Sequence, residues 1–356
     1  MEGLILPKGY ESSLDLRETE KAIKDIKDYF QVALAKALNL ERVSAPQFVK
    51  SGSGVNDDLN GTERKATFLL GSGISVEALN SLAKWKRMKL KDYGFKEGEG
   101  LYTDMNGIRV DDLIDNLHSH YVDQWDWEKV MSKGQRHRGF LEDTVKNIYG
   151  TIKETGKMVE ERYGIEGDLP ENITFVHTED LQKQYPDLTP RQREDKAAEK
   201  YRAIFIIGIG GKLADGKIHD GRAPDYDDWT TAAEDGKKGL NGDIVVWNPL
   251  LKRSFELSSM GIRVDPDTME EQLEIRAKEE EAEGRFDLAQ RYRKRRDMEW
   301  HKRLLAGEFP QTIGGGIGQS RLCMFYLQKA HIGEVQACEW PDEMKEKCTE
   351  AGIRLL

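Results

Sequence analysis

Residues 314 to 321 read GGGIGQSR and run into the apolar stretch LCMFYLQ. Taken as a strand meeting a helix, the glycines mark the junction and Arg321 falls in the first helical turn. The N-terminal end of a helix favours anions, so an arginine there suits a phosphate or a planar ligand face. Close packing of backbones is the other reading, and the loop alone leaves both open. A second glycine-rich stretch, GIGGKLADG (208–216), follows an apolar run but fails two tests. The third glycine of a dinucleotide fingerprint would fall on Leu213, and Lys212 is followed by Leu where a P-loop needs Ser or Thr. It reads as a turn in which backbones pack closely.

Three strand-like segments put polar residues on one face. In HSHYVDQWDWE, Tyr121, Trp125 and Trp127 form a core-like face, and Gln124 and Asp126 stand on the other. In FELSSMGIRV, Phe255 and Leu257 point one way, Glu256 and Ser258 the other; in NGDIVVWNP, Asp243 aligns with Val245 and Trp247 near the sheet's rim. Polar faces on core-like strands line a cavity or meet solvent, and several together favour the cavity. His118 and His120 share a strand face without a third ligand nearby, which reads as structural. GxSxG and a Ser-His-Asp order are absent. RYRKRR lies close to the acidic KEEEAE, so two helices paired by charge explain it better than nucleic acid.

The elements that must position these residues are mixed. A helix is expected over 17–39, where Ile23, Ile26, Phe30, Leu34 and Leu38 recur at steps of three and four, ending at Asn39. Helices are also expected over 141–163, 190–202 and, interrupted by Gly284, 268–306. Strands cluster irregularly between them, which predicts an α+β fold. With 356 residues, 33% charged and a net charge of −10, the chain suits one large globular domain and not a nucleic-acid coat. The three cysteines form no CxxC, and no apolar run is long enough to span a bilayer. A cytoplasmic protein is expected.

Together these pieces resemble the catalytic domain of class II aminoacyl-tRNA synthetases of the aspartyl type. The helix 17–39 with ERVSAP is similar to the first class II motif, Ile108-Arg109-Val110-Asp111 with HSHYVDQWDWE to the second, and GGGIGQSRL to the third. More specifically, SLAKWKR, GEGLYTDM, YVDQWDWE, RAPDYDDW, LNGDIVVWNP, ELSSMGIRVD and PQTIGGGIGQSRL resemble the ammonia-dependent asparagine synthetases (aspartate–ammonia ligases) over nearly the whole chain. The stretch around 268–306 is longer and more charged than that family leads one to expect.

The resemblance implies a central antiparallel β-sheet flanked by helices and a homodimer built on the first helix. Aspartate, ammonia and ATP would be the substrates and Mg²⁺ the cofactor, with neither tRNA nor membrane as partner. It implies attack of the aspartate side-chain carboxylate on the α-phosphorus of ATP, then attack of ammonia on the acyl adenylate. Arg109 and Arg321 would meet the α-phosphate, and Asp243 and Glu256 would hold Mg²⁺. Ser81, Lys86, Gln124, Asp126 and Asp227 would fix aspartate, with Lys86 against its α-carboxylate. Arg222, Ser258, Ser259 and Arg263 would complete the nucleotide site, and Asp57 would take a proton from the incoming ammonium.

Overall fold

The Asp15 carboxylate accepts the Glu18 N–H at 2.8 Å while the Glu18 carboxylate accepts the Asp15 N–H, a reciprocal cap that starts helix α1 (Leu16–Leu38). Ile23, Ile26, Phe30, Leu34 and Leu38 are buried along one side, and Asn39 ends the helix in the left-handed conformation (φ 59°). The computed structural model describes residues 3–56, 59 and 63–356. After α1 come β1 (Leu40–Arg42), β2 (Phe48–Lys50), β3 (Thr67–Leu69), β4 (Ser75–Ala78), α2 (Ala83–Asp92), β5 (Gly100–Ile108), β6 (Tyr121–Val130) and α3 (Arg138–Tyr163). The middle of the chain forms β7 (Thr174–His177), α4 (Thr178–Gln184), α5 (Pro190–Tyr201), β8 (Ala203–Ile207), β9 (Asn241–Asn248) and β10 (Arg253–Ile262). It finishes with α6 (Pro266–Ala282), α7 (Phe286–Lys294), α8 (Glu299–Leu305), β11 (Thr312–Gly318), α9 (Gln319–Tyr326) and α10 (Asp342–Glu350).

Eight strands form one sheet in the order β1-β5-β6-β11-β10-β9-β8-β7. From β5 across to β8 every neighbour is antiparallel; only the outer pairs β1–β5 and β7–β8 are parallel. The expected α+β architecture, a central antiparallel sheet flanked by helices, is therefore present. One face carries Trp125, Trp127, Phe255, Met260 and Ile317 and packs under α1, α3 and α9 in the main core. Burying side chains of this size stabilises by roughly 1.5–3 kcal/mol each, which is why the alternating tryptophans of β6 choose this side.

On the opposite face α2 lies over β6, and the stretch 266–305 packs beyond it around its own core of Met269, Leu273, Tyr292, Trp300 and Leu304. Gly284 (φ +78°) separates α6 from α7. The acidic and basic runs do meet: Arg293 reaches Glu274 at 2.9 Å and also Glu281, and Arg285 reaches Glu280. GIGGKLADG is a tight turn, as its spacing indicated; a Cβ on Gly208 (φ +84°) would sit 2.8 Å from the Lys238 carbonyl. Among the described residues, no helix is long and apolar enough to cross a membrane.

Candidate active site

The three consecutive glycines do not follow a strand; they are inside one. Strand β11 lies between β6 and β10, where Gly314, Gly316 and Gly318 pair with Glu128, Asp126 and Gln124. Directly opposed residues share a face, so alternate glycines stand beside the polar side chains of β6. A Cβ on Gly316 would lie 2.5 Å from Gln124 Oε1 and 3.2 Å from Asp126 Oδ1. These glycines leave room for the neighbouring polar groups and keep the floor of a cleft low. Arg321 rises from the first turn of α9 at the end of that floor.

Strand β10 departs from the alternation. A bulge between Glu256 and Ser258 shifts the register, so Glu256 opposes Val245 while Ser259 opposes Asp243. The extra residue turns Ser258 to the core side, opposite Ile317, with its hydroxyl buried and without a hydrogen-bond partner. Ser259, not Ser258, therefore faces the cleft with Glu256.

The cleft has a volume of about 760 Å³ and gathers Arg109, Gln124, Arg222, Glu256, Ser259 and Arg321 on its walls. Arg109 is loosely held, with Nη2 3.4 Å from the Asn80 carbonyl and Nη1 4.0 Å from Asp112, and its buried Nε has no partner. Arg321 donates to the backbone carbonyl and the carboxylate of Glu256, both at 3.1 Å. Desolvation pushes the Glu256 carboxyl up, but Arg321 and Arg222 outweigh it and hold it below the usual carboxylate range. Arg222 is paired with Asp243. Burial nonetheless drives the Asp243 carboxyl well up, and Glu256, Asp220 and Glu194 add to that against Arg222.

Several expected binding residues lie behind the wall. Lys86 is fully buried, its ammonium spent on Asp126 Oδ1 at 2.6 Å and the carbonyls of Trp127 and Gly315 at 3.0 Å. Burial pushes its pKa down, against Asp126 and Glu128. Lys86 thus holds Asp126, and the three acceptors leave it no hydrogen for a substrate α-carboxylate. Arg263 is consumed in the same way by Glu128, at 2.8 and 3.0 Å, and by Asp227. It ties β6 to the segment 220–229 from behind. Asp243 stands on an inner strand and not at the rim. Ser81 lies just before α2, its Oγ accepting the Ala83 N–H at 3.1 Å. Asp57 is outside the described residues, although Leu59 and Glu63 of the same loop line the cleft.

Arg191, Tyr226 and His118 also line the cleft; the first two were not singled out from sequence, and His118, read as structural on a strand face, precedes β6 instead of lying on it. Tyr226 sits within the quoted RAPDYDDW string; Arg191, on a helix more than sixty residues from β6, carried no local signal. Among the described residues no three His, Cys, Asp or Glu side chains cluster as a metal site. Two hard carboxylates beside a phosphate site are what Mg²⁺ ordinarily takes, since nucleotide oxygens and water complete its shell. Asp243 on β9 and Glu256 on the neighbouring β10 are carboxylates of the kind that role needs.

Two asparaginyl-tRNA synthetase structures bound to asparaginyl-adenylate share this fold. That of Entamoeba histolytica superposes with a TM-score of 0.60 at 13% identity, covering 90% of this chain and 66% of that one. That of Pyrococcus horikoshii gives 0.61 at 15% identity, covering 90% and 68%. At such identities the likeness is one of fold. Aspartate–ammonia ligases of Parabacteroides distasonis and Clostridium perfringens are each 52% identical over 359 residues, covering all of both chains. The family model for aspartate–ammonia ligase matches residues 17–352, and the chain belongs to that family.

Proposed function

We propose that the cleft joins aspartate and ammonia through a β-aspartyl adenylate. A carboxylate acylates poorly because its leaving group would be oxide. Attack of a side-chain oxygen of aspartate on the α-phosphorus of ATP expels pyrophosphate and leaves an acyl adenylate. Ammonia then adds to the acyl carbon, the carbon–oxygen bond to AMP breaks, and one proton is released. The observation that carries this reading is the convergence of Arg109, Arg222 and Arg321 on a glycine-floored cleft beside two carboxylates, in a chain of this ligase family.

Arg109 and Arg321 meet charge developing at the α-phosphate, where preorganised cations count most. Arg222 and Ser259 hold the rest of the nucleotide. Asp243 and Glu256 would hold Mg²⁺, which neutralises phosphate charge when bound. Gln124 and Asp126 receive the ammonium of aspartate, with Lys86 fixing Asp126, Arg263 and Asp227 bracing the wall, and Ser81 shaping the start of α2. Asp57 takes the proton from the arriving ammonium. Homodimerisation through the outer face of α1, where Val32 is 67% exposed, belongs to the same reading.

Aspartate labelled with ¹⁸O in its side-chain carboxylate tests the route. Label in AMP, with one AMP per asparagine, is the expected result. Asparagine with ADP and labelled inorganic phosphate would replace the adenylate with an acyl phosphate.

A further inference from the structure

The segment 220–229 brings Arg222 and Tyr226 to the cleft, yet it contains no helix or strand of its own. Backbone bonds of Tyr226 and Asp228 to Val264 and Ile262, with Arg263 and Arg136 on Asp227 and Asp228, hold its second half, and side chains reaching in from the charged stretch 266–305 add a further set of bonds. Gln272 of α6 is completely buried, and its amide bonds this segment and Thr230 just after it. Nε2 donates to the carbonyls of Pro224 at 2.9 Å and Asp227 at 2.8 Å. Oε1 accepts the Trp229 N–H at 2.8 Å and the Thr230 hydroxyl at 3.3 Å.

One helical turn on, Arg276 donates to the Gly210 carbonyl at 2.7 Å and lies over the Trp229 ring at 5.0 Å. A second anchor is Asp225, fully buried, whose Oδ2 meets Lys84 at 2.7 Å, His301 at 2.7 Å and Arg295 at 3.2 Å. Lys84 stands two residues before Lys86 on α2. The stretch therefore grips the segment from both sides of Tyr226 and ties it to the helix that fixes Asp126.

We propose that Gln272, with Arg276 and the Asp225 cluster, is a positioning device: the charged helical stretch clamps segment 220–229 and sets Arg222 against the phosphates of ATP. This rests on the reading of Arg222 as a nucleotide ligand. Gln272 does not line the cleft and none of its hydrogen-bond partners does, so its effect passes through the segment it holds. Removing its amide while keeping its bulk, as in Gln272→Met, leaves backbone groups on both sides of Tyr226 without partners. Displacement of a binding group by about 1 Å can cost as much as about a hundredfold in rate.

The test uses the full-length protein with steady-state kinetics in ATP and in aspartate. Gln272→Met is expected to raise KM for ATP at least about tenfold with little change in KM for aspartate. Added to Arg222→Met, it should cost almost nothing further, because both act on one contact. Equal changes in both KM values, or additive losses in the double variant, would overturn the clamp. Should Gln272→Met not fold, the more accessible Arg276→Met is read by the same two criteria. If Arg222→Met alone leaves KM for ATP unchanged, the nucleotide reading of Arg222 falls, and the clamp falls with it.

Discussion

Arg321 Nη1 bonds both the backbone carbonyl and the side-chain carboxylate of Glu256 at 3.1 Å, so in the free enzyme the arginine rests on a carboxylate proposed to serve Mg²⁺. Phosphate binding would replace that anion with another and free Glu256 at the same moment. Arg321→Ala should cut aspartate-dependent ATP–pyrophosphate exchange by at least about a hundredfold, the scale of losing one preorganised charge contact. Arg321→Lys should recover only part of it, because a compact ammonium does not reproduce the planar, forked donors of a guanidinium. Near-normal exchange in the alanine variant would remove Arg321 from the reaction.

Gly316 offers a test of the cleft floor. Its substitution by Ala forces a methyl to within 2.5 Å of Gln124 Oε1, a contact that must displace the amide. Gly316→Ala should therefore lose kcat/KM for aspartate while melting near the wild-type temperature. Gly150, in the exposed middle of α3, has nothing within 4 Å of a built Cβ. Gly150→Ala should keep full activity and gain about 0.5–1 kcal/mol, the helix cost of glycine against alanine. Loss of activity in both variants would mean that the effect at 316 is not local.

The opposite faces of β6 could be read from sequence because strand alternation is strictly period two, and Trp125 and Trp127 mark the buried side. The same rule misplaced Ser258, since a single extra residue at a bulge carries no compositional sign. GGGIGQSR was read as a junction for a related reason. Glycine suits turns, and only the register against Glu128, Asp126 and Gln124 explains why it is needed within a central strand. The resemblance implied Lys86 as a substrate cation, but its acceptors at Trp127 and Gly315 belong to other elements. The grip of Gln272 on Pro224 spans 48 residues and that of His301 on Asp225 spans 76. No local pattern foretells such pairs.

Glu128 and Arg263 set an acid limit on stability. Burial raises the Glu128 carboxyl, but Arg263 outweighs it and leaves the folded value below the ordinary 4.5. A depressed carboxylate contributes its full stabilisation above the unfolded value and loses it as pH falls through the folded one. Asp225, lowered well below 3.8 by Lys84 and Arg295 against its burial, acts in the same direction. The melting temperature should therefore receive a constant contribution from these groups between pH 7 and about 5, then lose it in more acid solution. Glu128→Gln should flatten that acid slope while lowering stability at neutral pH, since Arg263 is left buried with half its partners. An unchanged acid slope in the variant would show that other carboxylates govern it.

Asp123 links the core helix α1 to the start of α9. Its Oδ1 accepts the Ser320 N–H at 3.0 Å, and its Oδ2 accepts the Ser320 hydroxyl at 2.8 Å and the Lys27 ammonium at 3.0 Å. A carboxylate is suited to this place because it sits against both a helix N-terminus and a cation. Replacing it with Asn turns one acceptor into a donor that faces other donors. Leaving such a buried group unsatisfied costs about 1–3 kcal/mol, and the adjacent residue on α9 is Arg321. Asp123→Asn should lower stability by that amount in urea unfolding and reduce kcat along with it, because the first turn of α9 sets where Arg321 points. Lys27→Met should do less on both counts, since the Lys27 side chain is already 30% exposed and Ser320 keeps its two bonds. If Asp123→Asn is destabilised but turns over normally, α9 is held by its apolar face alone, and Asp123 has no part in aiming Arg321.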